Sequence, residues 1–154
     1  MVDFFNIDNC KKVSKPWGHE LWIADGEPSH RYALKQILFL AGNRTSLQVH
    51  EFKSETNYVL SGYGHLLYHE QKFDFEKFKE GGYTKADIDR IISELQIIEL
   101  LPGVVSHISP GHIHRVVAID DLTFIEASTT ELDDVYRLQD DSNRTHGLIK
   151  NEHL

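Results

Sequence analysis

The sequence predicts an all-β chain: one barrel or sandwich of short strands, interrupted once by a helical insertion. Two observations predict it. Short apolar runs recur along the chain, each stopped by Gly, Pro, Asp or Asn, which is how a sandwich or barrel of many short strands is written. One stretch departs from that pattern. Between Thr84 and Leu95 the apolar residues Ile88, Ile91, Ile92 and Leu95 fall at i, i+3, i+4 and i+7, the spacing of an amphipathic helix. The 154 residues read as one domain, residues 1–154, long enough to bury a real core.

An N-terminal arm runs to about Gly18 and contains Lys15-Pro16-Trp17-Gly18. Glu20 to Ala24 is the first expected strand, stopped by Asp25-Gly26-Glu27-Pro28. Tyr32 to Leu40 is longer and ends at Ala41-Gly42-Asn43. Thr45 to His50 alternates, Asn57 to Leu60 leads into Ser61-Gly62-Tyr63-Gly64, and His65 to His69 follows. Four later strands are expected at Ile97 to Leu101, Val104 to Ile108, Arg115 to Ile119 and Thr123 to Ser128. The insertion spans residues 73–96. Thr84 and Asp87 form a capping box in which Asp replaces the usual Glu, and Phe73, Phe75 and Phe78 suggest a further short turn or helix just before it. The insertion packs on the barrel's outer wall, covers its mouth or meets a second subunit. Trp17 and Trp22 are expected to pack the barrel's edge.

A net charge of −8 argues against a nucleic-acid binder, which would show a basic face. The single cysteine, Cys10, cannot make an internal disulfide, and this fits a reducing compartment; an inert thiol is expected there. Met1 to Asp8 is too acidic and too poor in apolar residues for a signal peptide, and no run approaches a membrane span. These features point to a cytoplasmic protein without a membrane partner.

The chemistry concentrates in two segments. Gln48 and His50 are two apart in a strand, so both side chains share one face. Glu55 follows a short turn that can return it beside His50. Far along the chain, Ser109-Pro110-Gly111-His112-Ile113-His114 turns to deliver His114 into a new strand. Two imidazoles, a carboxylate and an amide oxygen suit one divalent ion. Zn²⁺ is the first expectation, and Mn²⁺, Fe²⁺, Co²⁺ and Ni²⁺ accept the same donors. His112 is a substitute ligand if the strand has already begun at that point, and His107 and His65 either line the interior or sit satisfied in the core.

The spacing carries a resemblance. Gly42, Gln48, His50, Glu55 and Gly62, then Gly103, Ser109, Gly111 and His114, resemble the two cupin motifs. Gln48 stands where the first histidine is usual, and Ser109 where proline is. Within the cupins the chain is similar to the type II mannose-6-phosphate isomerase domain, usually the C-terminal part of a bifunctional enzyme with mannose-1-phosphate guanylyltransferase. Lys15-Pro16-Trp17-Gly18, Ser46-Leu47-Gln48-Val49-His50, Lys53-Ser54-Glu55 and His114-Arg115 carry the likeness. So do Lys35, Glu126 and the tail from Asp133-Asp134-Val135-Tyr136-Arg137 to Asp140-Asp141-Ser142-Asn143-Arg144. It implies a single cupin (jelly-roll) β-barrel and a metal-dependent aldose–ketose isomerase or epimerase that acts on a sugar phosphate through an enediolate. Lys35, Glu126 and Arg137 are its candidate catalytic residues, and Arg115 and Ser46 its candidate substrate contacts. The resemblance also implies a homodimer.

Each role has a competitor. Lys35 and Glu126 are also read as a structural salt bridge, Arg137 as pairing with nearby acids, and Arg115 as pointing outward because it alternates with His114. The chain departs from the family's pattern at Glu51-Phe52, where that pattern has two histidines, at Thr56-Asn57, where it has His-Trp, and at Ala118, where it has asparagine. A cupin dioxygenase and a non-catalytic sugar-binding cupin are the alternative functions.

Overall fold

A computed structural model describes residues 1–141 and the backbone of 147–149. Ser142, Asn143 and Arg144, which close the resemblance, lie outside the described residues. In chain order the strands are β1 (Lys11–Lys15), β2 (Gly18–Asp25), β3 (Ala33–Phe39), β4 (Leu47–Val49), β5 (Glu55–Ser61) and β6 (Gly64–Tyr68). After two helices come β7 (Gln96–Leu100), β8 (Val105–Ile108), β9 (His114–Ala118), β10 (Leu122–Ser128), β11 (Val135–Gln139) and β12 (Gly147–Ile149). They form two six-stranded antiparallel sheets, ordered β1-β2-β3-β10-β5-β8 and β12-β11-β4-β9-β6-β7. Among the described residues no ladder joins one sheet to the other. The jelly roll is therefore two facing sheets, not one continuous hydrogen-bonded barrel.

Alternation builds the interior. In β3 the inward residues are Ala33, Lys35, Ile37 and Phe39; in β10 they are Leu122, Phe124, Glu126 and Ser128. At one end these strands meet Trp17, Val59, Leu66, Leu100 and Val116 in an apolar cluster. Trp17 belongs to that cluster and not to the barrel's edge, with its ring 4.5 Å from that of Phe39. At Gly62, φ is +91° and an added Cβ would lie 1.9 Å from the Asp121 carbonyl oxygen, so the β5–β6 turn admits glycine alone.

The insertion is helical as predicted. α1 (Phe75–Lys79) is short, and α2 (Lys85–Ser93) starts at Thr84, where the capping box with Asp87 is complete in both directions. Both helices pack on the outer face of the second sheet, where Phe73 and Ile91 join Leu47, Val49, Ile113, Tyr136 and Leu138. The insertion is thus an outer-wall element. His69 is tied into it: the residue is buried, and its Nε2 lies 2.8 Å from Glu94 at the end of α2.

Three strands, β1, β11 and β12, lie where the sequence suggested none. β1 falls inside the supposed arm, and its Lys-Lys-Val-Ser-Lys run is mostly exposed on an edge, so no alternation betrays it. β11 lies within the acidic tail segment. No helix among the described residues is long and apolar enough to cross a membrane.

Candidate metal centre

The second sheet supplies three of the four predicted ligands. Gln48 on β4 stands directly opposite His114 on β9, and His50 follows Gln48 on the same face. Glu55 comes from the other side of the interior, as the first residue of β5 in the first sheet. The turn after His50 therefore crosses between the sheets and brings Glu55 back to face His50. His50, Glu55 and His114 present donor atoms that all lie within 4.8 Å of one another. Glu55 Oε1 is 3.3 Å from His114 Nε2. Gln48 lines the same cavity, and its Oε1 accepts a hydrogen bond of 3.2 Å from Ser46 Oγ. The two motifs are stitched together at Gly111, whose N–H donates to the His50 carbonyl at 2.7 Å from a backbone with φ of +84°.

Both imidazoles are aimed by backbone carbonyls. His50 Nδ1 lies 2.6 Å from the Asp134 carbonyl oxygen, and His114 Nδ1 lies 2.9 Å from that of His112. A carbonyl only accepts, so Nδ1 carries a proton on both rings, and on a neutral ring Nε2 keeps its lone pair. Both Nε2 atoms are buried without a hydrogen-bond partner. Orphaned buried acceptors converging on a carboxylate are the arrangement that a divalent ion satisfies, so the residues present fit a metal. His112 serves through its carbonyl only; its own Nδ1 lies 3.2 Å from the His69 carbonyl oxygen. Asp134 does more than hold His50. Its carboxylate accepts from the backbone N–H groups of Phe52 at 2.6 Å, Lys53 at 2.9 Å and Glu51 at 3.2 Å, fixing the turn between His50 and Glu55.

Behind the ligands lies a cavity of about 70 Å³ with a buried charge network. Lys53 Nζ is 3.1 Å from Glu55 Oε2 and 3.2 Å from Glu126 Oε2. Lys35 Nζ is 3.1 Å from Glu20 Oε1, which also accepts from Trp22 Nε1 at 2.9 Å. Burial alone would depress Lys53, but Glu126 and Glu55 outweigh it and keep the ammonium charged well above its usual range. Burial would raise Glu55, yet Lys53 and His114 hold it well below the usual carboxylate range. Glu126 moves the other way, pushed up to about 7 by burial and by the neighbouring Glu55. Burial and the Lys53 charge push His50 down to about 3, so its ring is neutral, as a ligand must be. Burial also works against a charged His114, but the Glu55 carboxylate outweighs it and raises that ring.

Lys35, Ser46 and Glu126 thus join the ligands at one cavity. Arg115 does not. Although buried, it points away from His114, and its Nε donates to the Thr45 carbonyl at 3.1 Å and its Nη1 to Gln139 Oε1 at 2.9 Å. Its partners are thus an amide and a backbone oxygen, not the nearby Asp120 or Asp121. Arg137 is buried opposite Gln48 in the β11–β4 pairing but does not line the cavity. His107 is exposed, its Nδ1 2.8 Å from Thr56 Oγ1, and His65 meets Tyr63. Four cavity or positioning residues carried no assigned role in the sequence: Glu20, Lys53, Asn57 and Asp134. Asn57 is 4% exposed, and its Oδ1 has no hydrogen-bond partner. For Glu20 and Asn57 the available signal was a polar residue at an inward position of an alternating strand. Lys53 and Asp134 lie in connecting segments, where no such period applies.

A family model described as mannose-6-phosphate isomerase C-terminal matches residues 5–103. No curated protein matches the sequence. Among solved structures the chain is similar to KdgF from Halomonas sp., with a TM-score of 0.61 and 16% identity over 86% of this chain and 98% of that one. It is also similar to the capsular polysaccharide assembling protein CapF from Staphylococcus aureus (TM-score 0.59, 18% identity, 84% of this chain and 32% of that one). Oxalate decarboxylase from Bacillus subtilis gives a TM-score of 0.63 and 14% identity over 87% of this chain and 31% of that one. The chain spans about a third of the length of the last two. At these identities the likeness is one of fold.

Proposed function

The chain belongs to the mannose-6-phosphate isomerase C-terminal family and folds as a cupin domain, and from that premise we propose that it is a metal-dependent isomerase of a sugar phosphate. The observation that carries this reading is the pair of buried imidazole nitrogens, neither hydrogen-bonded, that converge on Glu55 at the edge of a polar cavity. Gln48, His50, Glu55 and His114 would hold the ion. When bound, it supplies Lewis-acid polarisation of a substrate carbonyl.

The rest falls to side chains around it. Isomerisation between an aldose and a ketose moves a proton between adjacent carbons, so a group of intermediate basicity must face them. Glu126 lines the cavity and is tuned toward neutrality. Three carboxylates (Glu20, Glu55 and Glu126) face two ammoniums (Lys35 and Lys53) in the cavity. A divalent ion reverses that excess of one negative charge to one positive, which favours developing anionic character on a ligand. Asn57 Oδ1, buried and free to accept, suits a sugar hydroxyl. The apolar wall of Trp17, Phe39 and Phe124 limits water.

The test is NMR of the metal-loaded protein with mannose 6-phosphate and related sugar phosphates in D₂O. Ketose formation with deuterium entering at C1 or C2, lost in His50→Ala, is expected. No turnover and no exchange with metal bound would sink the reading for those sugars. One observation favours a second reading, a non-catalytic sugar-binding cupin. No arginine among the described residues lines the cavity, and both of its lysines are already paired with carboxylates. A phosphate group must then sit outside it or be absent from the ligand. Binding of the unphosphorylated sugar without exchange would support that reading.

A further inference from the structure

A carboxylate that faces a metal can use one oxygen or two, and the choice decides how many positions remain for a ligand. In this chain the two oxygens of Glu55 face different partners. Oε1 is turned to the imidazoles, 3.3 Å from His114 Nε2, while Oε2 lies 3.1 Å from Lys53 Nζ. Lys53 is itself held. Its ammonium reaches Glu126 at 3.2 Å, its backbone N–H donates to Asp134 at 2.9 Å, and the residue is 7% exposed. It cannot swing away without leaving two buried carboxylates facing each other, a costly arrangement.

We infer that Lys53 is a positioning residue that restricts Glu55 to one-oxygen ligation, keeping a coordination position open beside the two imidazoles. An ammonium on Oε2 competes with a second metal bond for that oxygen and repels a cation placed beside it. The same contact fixes the carboxylate plane, as outer partners of metal ligands do. Asp134 is shared between the two sides of the device, since its carbonyl aims His50 and its carboxylate holds the Lys53 backbone. The inference rests on the metal-binding reading of the site.

The decisive experiment is a crystal structure of the Zn²⁺-loaded wild-type protein. One Glu55 oxygen on the metal and the other on Lys53 is expected. Glu55 bound through both oxygens overturns the inference and leaves the metal reading intact, whereas a protein that takes up no metal here overturns both. Variants give a second line. Co²⁺-loaded Lys53→Met is expected to gain a ligand oxygen, to lose visible absorption intensity and to bind metal about tenfold more weakly, and Lys53→Arg restores both. Where Lys53→Met does not fold, Lys53→Met combined with Glu126→Gln removes the unbalanced charge and is read the same way. A folded variant with the wild-type Co²⁺ spectrum and affinity overturns the inference.

Discussion

Along β10 one inward face carries Leu122 and Phe124 at one end and Glu126 and Ser128 at the other, and β3 repeats this with Phe39 and Ile37 before Lys35. β5 and β9 change in the same way, from Val59 to Asn57 and Glu55, and from Ala118 and Val116 to His114. The same strands therefore build an apolar core and a polar site, with no boundary in secondary structure between them. The two ends differ in what they do for the fold. The apolar end gains from leaving water. The polar end bears the desolvation of its charges and recovers it through pairing. A residue's position along a strand, more than its strand, decides whether its loss is felt in stability or in ligand binding.

That contrast is broken most forcefully at Phe124, 3% exposed with its ring 4.8 Å from that of Phe39. Phe124→Ala should cost about 3–5 kcal/mol of stability in denaturant unfolding, while the folded fraction still binds metal at one per chain. A loss of metal affinity matching the loss of stability would mean that the two ends are not separable. Asp134→Ala lies between them. It removes three backbone hydrogen bonds but leaves the carbonyl that aims His50, so a stability loss of about 1–3 kcal/mol should accompany roughly tenfold weaker metal binding by calorimetry. His114→Ala should do least to the metal-free fold. Its thermal midpoint should stay within about 4 °C of wild type, a change of roughly 1 kcal/mol or less, while the midpoint rise on adding Zn²⁺ disappears. The order of damage to stability is thus the reverse of the order of damage to metal binding.

Much of this was legible from the residues, and the reason is local. Period-two alternation located most strands, period 3.6 with the Thr84 capping box located α2, and glycine-bounded motifs brought Gln48, His50, Glu55 and His114 forward as one set. What stayed hidden depends on distant partners. Glu55 faces His50 from the opposite sheet because strand order, not spacing, assigns β5 its sheet. Asp134 aims His50 from 84 positions away. Lys53 looked like a stand-in for arginine in a motif, and only its place between Glu55 and Glu126 gives it work. Alternation did warn that Arg115 faces away from His114, and it held over the motif likeness.

The two sheets share no hydrogen-bond ladder among the described residues, so apolar packing and side-chain contacts hold their faces together against the brief opening motions by which backbone amides exchange with water. An ion held by His50 and His114 from one face and by Glu55 from the other would act as a clasp across that seam. Its binding free energy then adds to the cost of opening, about 2.7 kcal/mol when free metal is a hundredfold above Kd. Amides of β5 and β9, strands that share no ladder among the described residues, would then come under a common protection governed by metal concentration.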